Sequence, residues 1–343
     1  MPDLATLGWD DTLSAAFEPH GREGLAPGRV AVQHRGEYDV LTAEGERRSR
    51  ITSRLRRESR REELPVVGDW VALDPAGAIA AVLPRRTTIS RRAAHEPASG
   101  VSREQVIAAN VDHLLVIGSL KHPVFSSSRT DRILAACVWH EIPATLVLNK
   151  IDLADAEDVA AIRATYEAIP IEVLETSAKD GRGIDRLAAV LKDRISVLYG
   201  PSGAGKSTLA NRVQPGLDLK EGKISRYWQQ GRHTTTSSQL HALALGGWIV
   251  DTPGIRVFRL HGVRRNVLRD LFPDFERFQR ECRFDGCTHD HEPECMVADA
   301  VETGRLSGTR YASYLEMLDE LDPDLAPDLS QADEDGHEAE EGG

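Results

Sequence analysis

Between Gly28 and Leu83 the apolar positions come in short runs: Gly28-Arg-Val-Ala-Val-Gln, Glu37-Tyr-Asp-Val-Leu-Thr, Val66-Val-Gly-Asp-Trp-Val-Ala-Leu and Ala78-Ile-Ala-Ala-Val-Leu. Gly, Pro and Asp punctuate them, which marks brief strands joined by turns. Four or five such strands in about 65 residues predict a small antiparallel β-barrel, OB-like in type. From Val106 the rhythm changes. Continuous apolar runs (Asp112-His-Leu-Leu-Val-Ile-Gly, Ala144-Thr-Leu-Val-Leu-Asn, Ile195-Ser-Val-Leu-Tyr, Trp248-Ile-Val-Asp) alternate with helical stretches at Ser128 to His140, Ala154 to Ala168 and Gly183 to Lys192. Fully apolar strands between helices predict a parallel sheet covered on both faces. A mainly helical segment is expected from Val263 to Leu321. No apolar run approaches the roughly 18 residues that cross a bilayer, so no membrane association is expected.

The expected organisation is therefore multidomain: an N-terminal extension over 1–24, a β-barrel over 25–100, an α/β domain over 101–262, a helical domain over 263–321 and a tail over 322–343. The first twenty residues hold Asp3, Asp10, Asp11 and Glu18 but no Lys or Arg, which does not suit a targeting leader. Three of the four cysteines fall between Cys282 and Cys295, a spacing unlike a disulfide framework. A reduced, cytoplasmic protein is the expectation.

The α/β segment carries the chemistry. Gly200-Pro-Ser-Gly-Ala-Gly-Lys-Ser207 fits G-x-x-x-x-G-K-[ST] and lies between a strand-like run and a helix that opens at Thr208, as a phosphate loop requires. Its backbone N–H groups, from Gly200 through Ser202, Gly203, Ala204 and Gly205 to Thr208, would wrap phosphates at a helix N-terminus. Lys206 would bridge the β- and γ-phosphates, and the Ser207 hydroxyl would ligate magnesium. Asp251-Thr-Pro-Gly254 follows the apolar Trp248-Ile-Val. It places a carboxylate for the magnesium shell and, at Gly254, an N–H for the γ-phosphate. Thr234-Thr-Thr236 lies between the two motifs and offers a hydroxyl, here assigned to Thr235, to the metal.

Asn149-Lys150-Ile-Asp152 ends another apolar run. Guanine shows N1–H and an exocyclic amine side by side, and one carboxylate, Asp152, accepts both; adenine would leave it unpaired, a mismatch that discriminates by about 10⁴-fold. Thr176-Ser177-Ala178-Lys fits the loop whose backbone N–H reads guanine O6. The nucleotide expected is GTP or GDP. Most GTPases order these motifs with the phosphate loop first; here the base-reading pair precedes it. That is a circular permutation, which a parallel sheet tolerates because all the loops still meet at one edge. The permutation also joins the Asp251–Gly254 switch almost directly to the C-terminal segment, so loss of the γ-phosphate could move that segment.

Net charge changes the picture only after it is divided. It is −12, from 42 basic and 54 acidic residues, but Asp319 to Gly343 alone holds 11 acidic and no basic side chains. The body is near neutral, and Arg47 to Arg61 contains eight arginines against one glutamate. Guanidinium forks suit phosphate oxygens, so this run is read as an RNA contact rather than a solvated face. Farther on, Cys282, Cys287 and Cys295, with either His289 or His291, make a three-thiolate, one-imidazole set for one structural zinc ion with no position left for catalysis. Cys137, alone in an apolar stretch, is read as core.

The permuted order, the Gly231-Arg-His-Thr-Thr-Thr236 switch, the C-x4-C-x-H-x5-C spacing and the leading barrel together resemble the RsgA/YjeQ family of GTPases dependent on the small ribosomal subunit. The likeness covers about residues 25 to 320; Ala204, Thr208 and the acidic tail depart from the usual family pattern. The resemblance implies an OB domain, a permuted GTPase domain and a zinc domain whose imidazole ligand is His289. It further implies binding to the small subunit and its rRNA, a part in late maturation, and hydrolysis of GTP that the subunit stimulates. A monomer is expected. Ile255 stands where many GTPases place a water-orienting glutamine, so unaided turnover should be slow. His233 is the candidate to orient water, with docking of the switch as its other role. A P-loop kinase or ATPase is disfavoured by Asn149 and Asp152, and an RNA binder with a vestigial site by intact Lys206, Ser207 and Asp251.

Overall fold

Apolar runs that alternate with helices must bury both faces of their strands, and the arrangement found follows from that need. The computed structural model describes residues 4–92, 104–217, 238–251 and 263–321. It divides into two units, Met1–Leu260 and His261–Gly343. In the first unit, helix α1 (Asp11–Arg22) is followed by strands β1 (Ala26–Gln33), β2 (Tyr38–Thr42) and β3 (Gly45–Ser49). Helix α2 (Ser53–Glu58) and strands β4 (Trp70–Leu73) and β5 (Ile79–Val82) come next. β2 and β4 both pair antiparallel with β1, β3 pairs with β2 and β5 with β4, while a parallel bridge from Ile51 to Ile79 joins the end of β3 to β5. Val30, Tyr38, Val40, Val71, Leu73 and Ile79 fill the space these strands enclose.

The hairpin β6 (Thr88–Arg92) and β7 (Glu104–Ala109) leads into β8 (His113–Ser119), buried along its whole length. Helix α3 (Ser127–Trp139), β9 (Ala144–Asn149), α4 (Ala156–Glu167), β10 (Glu172–Thr176), α5 (Ile184–Leu191), β11 (Ile195–Tyr199), α6 (Lys206–Val213), β12 (Gln239–Ala242) and β13 (Trp248–Asp251) follow. The order across the sheet is β10-β9-β8-β11-β13-β12-β1, parallel from β10 to β13 and antiparallel at β12. Parallel strands bring their C-terminal ends to one edge, so Asn149, Thr176, Tyr199 and Asp251 all end strands on the same side. That edge is where ligands bind in open α/β sheets.

Two segments differ from the sequence reading. Residues 1–24 carry no clear period, yet α1 forms, capped by the Asp10 side chain on Leu13 N, and packs Leu13 and Phe17 with Leu7, Trp9 and Trp70. The arginine run falls in a segment for which only strands and turns were expected, yet it runs from β3 into α2 and then a 3-10 turn at Arg61–Glu63. Thr52 caps α2, and only Leu55 packs inward, which is too little for a visible period.

The second unit contains α7 (Arg265–Leu268), α8 (Glu276–Gln279), α9 (Met296–Glu302) and α10 (Gly308–Glu320). Phe272, Phe275 and Tyr314 meet edge-on or tilted in its core. Arg310 and Asp274 form a buried two-pronged ion pair there, at 2.7 and 2.8 Å. None of the described helices is long and apolar enough to cross a membrane.

Candidate functional site: a guanine nucleotide cradle and a thiol-imidazole cluster

The phosphate loop runs from the end of β11 into α6, and its shape depends on glycine. Gly205 has φ +93°, and a Cβ there would lie 2.3 Å from the Asn149 side-chain nitrogen. The loop can therefore press against the base-reading segment only because position 205 has no side chain. Asn149, 1% exposed, donates from Nδ2 to the Ala204 carbonyl at 2.8 Å. Its Oδ1 accepts from the Thr176 hydroxyl at 3.2 Å. One buried amide thus ties together three loops that are distant in sequence. Lys206 Nζ donates to the Gly200 and Pro201 carbonyls at 2.9 and 3.0 Å, which folds the ammonium over the loop it serves. The Ser207 hydroxyl, in the first turn of α6, makes no hydrogen bond among the described residues and suits a magnesium ligand.

The Asp152 carboxylate is braced by the loop that follows β10. Ser177 Oγ donates to Asp152 Oδ1 at 2.8 Å, and Lys179 Nζ stands 4.0 Å from Oδ2. Ser177 is fully buried, and Ala178 follows it in the loop after β10. Lys150 takes a left-handed conformation (φ 62°) and sends Nζ to the His122 carbonyl at 2.5 Å. The motif around Thr176 shows no separate role for its hydroxyl; the grip on Asn149 arises from the pairing of β9 with β10. The contact of Lys150 with the loop after β8 left no signal in the sequence. Asp251 ends β13. His233, Thr235 and Gly254 lie outside the described residues, as do Ile255 and the acidic tail.

The geometry yields a direct expectation. Gly205→Ala adds a methyl group where Asn149 now sits and imposes backbone strain of about 1–3 kcal/mol. GDP affinity measured by calorimetry should fall about tenfold to a hundredfold; an unchanged value would mean that the Asn149–Ala204 contact does not shape the cradle.

In the second unit, Cys282, Cys287, His289 and Cys295 bring their ligand atoms within 4.8 Å of one another. His289 Nδ1 is 3.6 Å from Cys282 Sγ and 3.4 Å from Cys295 Sγ, close to the edge of about 3.5 Å expected of tetrahedral zinc. His291 is exposed and turned to Asp290. The cluster thus gathers His289 and leaves His291 outside. Tyr311 and Tyr314 hold the loop by donating to the His289 and Thr288 carbonyls at 2.6 and 2.5 Å. Burial pushes the Cys287 thiol up to about 12 and the His289 imidazole down to about 4. Neutral imidazole is the ligand form, and a divalent cation is what would draw the protons from buried thiols. The donor set fits zinc.

The arginine run presents exposed side chains on and after α2. Arg48, Arg50 and Arg54 face carboxylates. Arg56, Arg57 and Arg61 have no carboxylate partner among the described residues.

A phosphate loop at the edge of a parallel sheet, with base-reading loops from strands that precede it in the chain, defines a circularly permuted P-loop GTPase. The sequence profile described as RsgA GTPase matches residues 82–261. The chain belongs to the RsgA GTPase family. A small ribosomal subunit biogenesis GTPase RsgA from Opitutus terrae is 40% identical over 94% of this chain and 93% of its own length. Its namesake in Chlorobaculum parvum is also 40% identical, over 83% and 94%. Among solved structures, YjeQ from Thermotoga maritima superposes with a TM-score of 0.69 at 31% identity, covering 87% of this chain and 98% of that one. YloQ, described as a circularly permuted GTPase, gives 0.65 at 26% identity, covering 88% and 96%.

Proposed function

We infer that this chain is a GTPase of small ribosomal subunit biogenesis that binds the subunit through its rRNA, hydrolyses GTP to GDP and phosphate, and is stimulated by the subunit late in maturation. The observation that carries the nucleotide half is the convergence of Asn149, Thr176 and Ala204, with Asp152 braced by Ser177 beside them. In this reading Asp152 and Asn149 hold guanine, Lys150 lies along the base, Ser177 and Ala178 present the O6 loop, and residues 200–208 hold the phosphates. Magnesium, held by Ser207, Thr235 and Asp251, would neutralise charge on the β,γ-phosphates. Lys206 stabilises the transferring group, and His233 orients water that Ile255 cannot.

The ribosomal half rests on the names of the relatives and on the arginine face. The strands β1 to β5, joined in the order 1-2-3-5-4-1 by the Ile51–Ile79 bridge, support an OB-type barrel. Arg56, Arg57 and Arg61 beside it are free to meet phosphates. A zinc ion in the Cys282, Cys287, His289 and Cys295 set serves folding and takes no part in the reaction. The protein acts as a cytoplasmic monomer.

The test is GTP turnover with and without purified small subunits. Slow intrinsic hydrolysis should rise by about 10²-fold or more, since a missing element supplied in trans is worth about 10³- to 10⁵-fold in other GTPases. Lys206→Ala should abolish both rates. Stimulation that survives intact in His233→Ala would remove His233 from catalysis, and an absence of any stimulation in the parent protein would remove the ribosomal reading itself.

A further inference from the structure

Strand β1 belongs to two assemblies. Its first half pairs with β4, from Ala26 with Leu73 to Arg29 with Trp70. A β-bulge between Val30 and Val32 turns the strand, and its last residues leave β4 for β12. There Val32 lies opposite Gln239, and Gln33 N–H donates to the Ser238 carbonyl at 3.4 Å. On its other side Gln239 lies opposite Asp251. Val32, Gln239 and Asp251 thus form one row across three strands, and Ser238 follows the switch threonine Thr236 by only two residues.

A second tie joins β1 to β13 at the other end of β13. The indole of Trp248, the first residue of β13, donates to the Thr6 carbonyl at 3.3 Å. The next carbonyl, that of Leu7, accepts from the guanidinium of Arg29 on β1. Arg29 is fully buried, also reaches the Asn110 carbonyl at 3.5 Å, and lies 5.3 Å from the centre of the Trp70 ring. The turn Leu4–Leu7 therefore staples β1 to the start of β13, while β12 joins them near Asp251.

We propose that β1 is a positioning strand for the GTPase switch: through β12 it fixes the Asp251 end of β13, and with the Thr6–Leu7 staple it fixes the Trp248 end. This inference rests on the GTPase reading. A strand clamped at both ends cannot shift under the metal-holding carboxylate unless the N-terminal strands shift with it. Whatever those strands hold is then energetically linked to the γ-phosphate, and the link acts equally in both directions.

The experiment measures affinities for GDP, ADP and a non-hydrolysable GTP analogue in the full chain and in two variants. Gln33→Pro deletes the N–H that reaches Ser238, and Trp248→Phe deletes the indole donor while keeping an aromatic ring. GDP binding relies on loops after β9, β10 and β11 and should stay within about twofold. Affinity for the analogue should fall about tenfold in Gln33→Pro and about fivefold in Trp248→Phe, within the usual span of coupling between sites. A purely structural role would lower both affinities together, so the analogue-to-GDP ratio is the decisive readout. Retained GDP affinity with an unchanged ratio in Trp248→Phe, which has little reason to misfold, overturns the inference. Equal affinity of the parent protein for GDP and ADP would instead overturn the GTPase reading on which it stands.

Discussion

Asp152→Asn should cost GDP at least about 10³-fold in affinity and give the protein a preference for xanthosine diphosphate. Ser177 Oγ donates to Oδ1 of the carboxylate at 2.8 Å, so an amide placed there keeps its oxygen toward Ser177 and turns its NH₂ toward the base. Guanine then meets a donor where its own N1–H and amine need an acceptor. Each lost hydrogen bond to a charged group is worth about 1.5–3 kcal/mol, and an unsatisfied buried donor adds about 1–3 kcal/mol. Two bonds and one clash together come to about 4–9 kcal/mol, which begins at roughly the 4.1 kcal/mol that corresponds to 10³-fold in affinity. Xanthine carries a carbonyl in place of the amine and accepts from the new NH₂. Calorimetry with GDP, xanthosine diphosphate and ADP reads all three cases. If the substitution weakened GDP less than tenfold, Asp152 would not be the group that reads the base.

The same residues explain why the nucleotide site was so legible in the sequence. A phosphate loop and an N-K-x-D need particular side chains at fixed spacing, because backbone approach and donor geometry leave few alternatives. Asn149, Lys206 and Asp152 could be named before their neighbours were known. The parallel sheet was legible for another reason: runs such as His113 to Ser119 have no polar face, and only strands covered on both sides read that way. The cluster of three cysteines and a histidine was visible in spacing except for the choice of imidazole. The family resemblance selected His289, and the buried loop turns that residue inward while His291 stays exposed.

What remained hidden depends on pairing between distant segments. β12 is four residues long, Gln239-Leu-His-Ala, with no pattern to say that it joins the N-terminal strands to the GTPase sheet. Arg29 in a strand looks like a residue for the solvent face, yet it is buried whole among carbonyls and the Trp70 ring, where burial lowers its pKa to about 10. It still carries its charge at neutral pH. Its neighbours supply oxygens rather than a touching carboxylate, and no one-dimensional rule predicts that. Helix α1 was obscured by Pro19 and Gly21, two residues poor in helix propensity, and is held by packing of Leu13 and Phe17.

Stripping zinc should unfold the second unit and leave nucleotide binding in the first unit intact. The described part of that unit has two four-residue helices, one of seven residues and one of thirteen, and helices this short are not stable alone. Its core is a patch of Phe272, Phe275 and Tyr314 that continues into the metal cluster, with Phe275 edge-on to His289 at 6.1 Å between ring centres. Tyr311 and Tyr314 spend their hydroxyls on the cluster's loop rather than on solvent. A domain of this size rarely gains more than about 3–5 kcal/mol from its core, whereas a structural zinc site supplies about 10–16 kcal/mol. Losing the ion therefore exceeds the stability of everything else in the unit. Metal analysis of the purified protein should give one zinc per chain. Chelation should abolish a separate thermal transition and expose the tyrosines, while GDP affinity holds. Cys287→Ser, at a position only 2% exposed, should act as chelation does, because a buried hydroxyl in place of a thiolate is a poor zinc ligand and is left without a partner. Melting of the second unit that ignored both the chelator and this substitution would mean that aromatic packing, rather than a bound cation, holds these four side chains together.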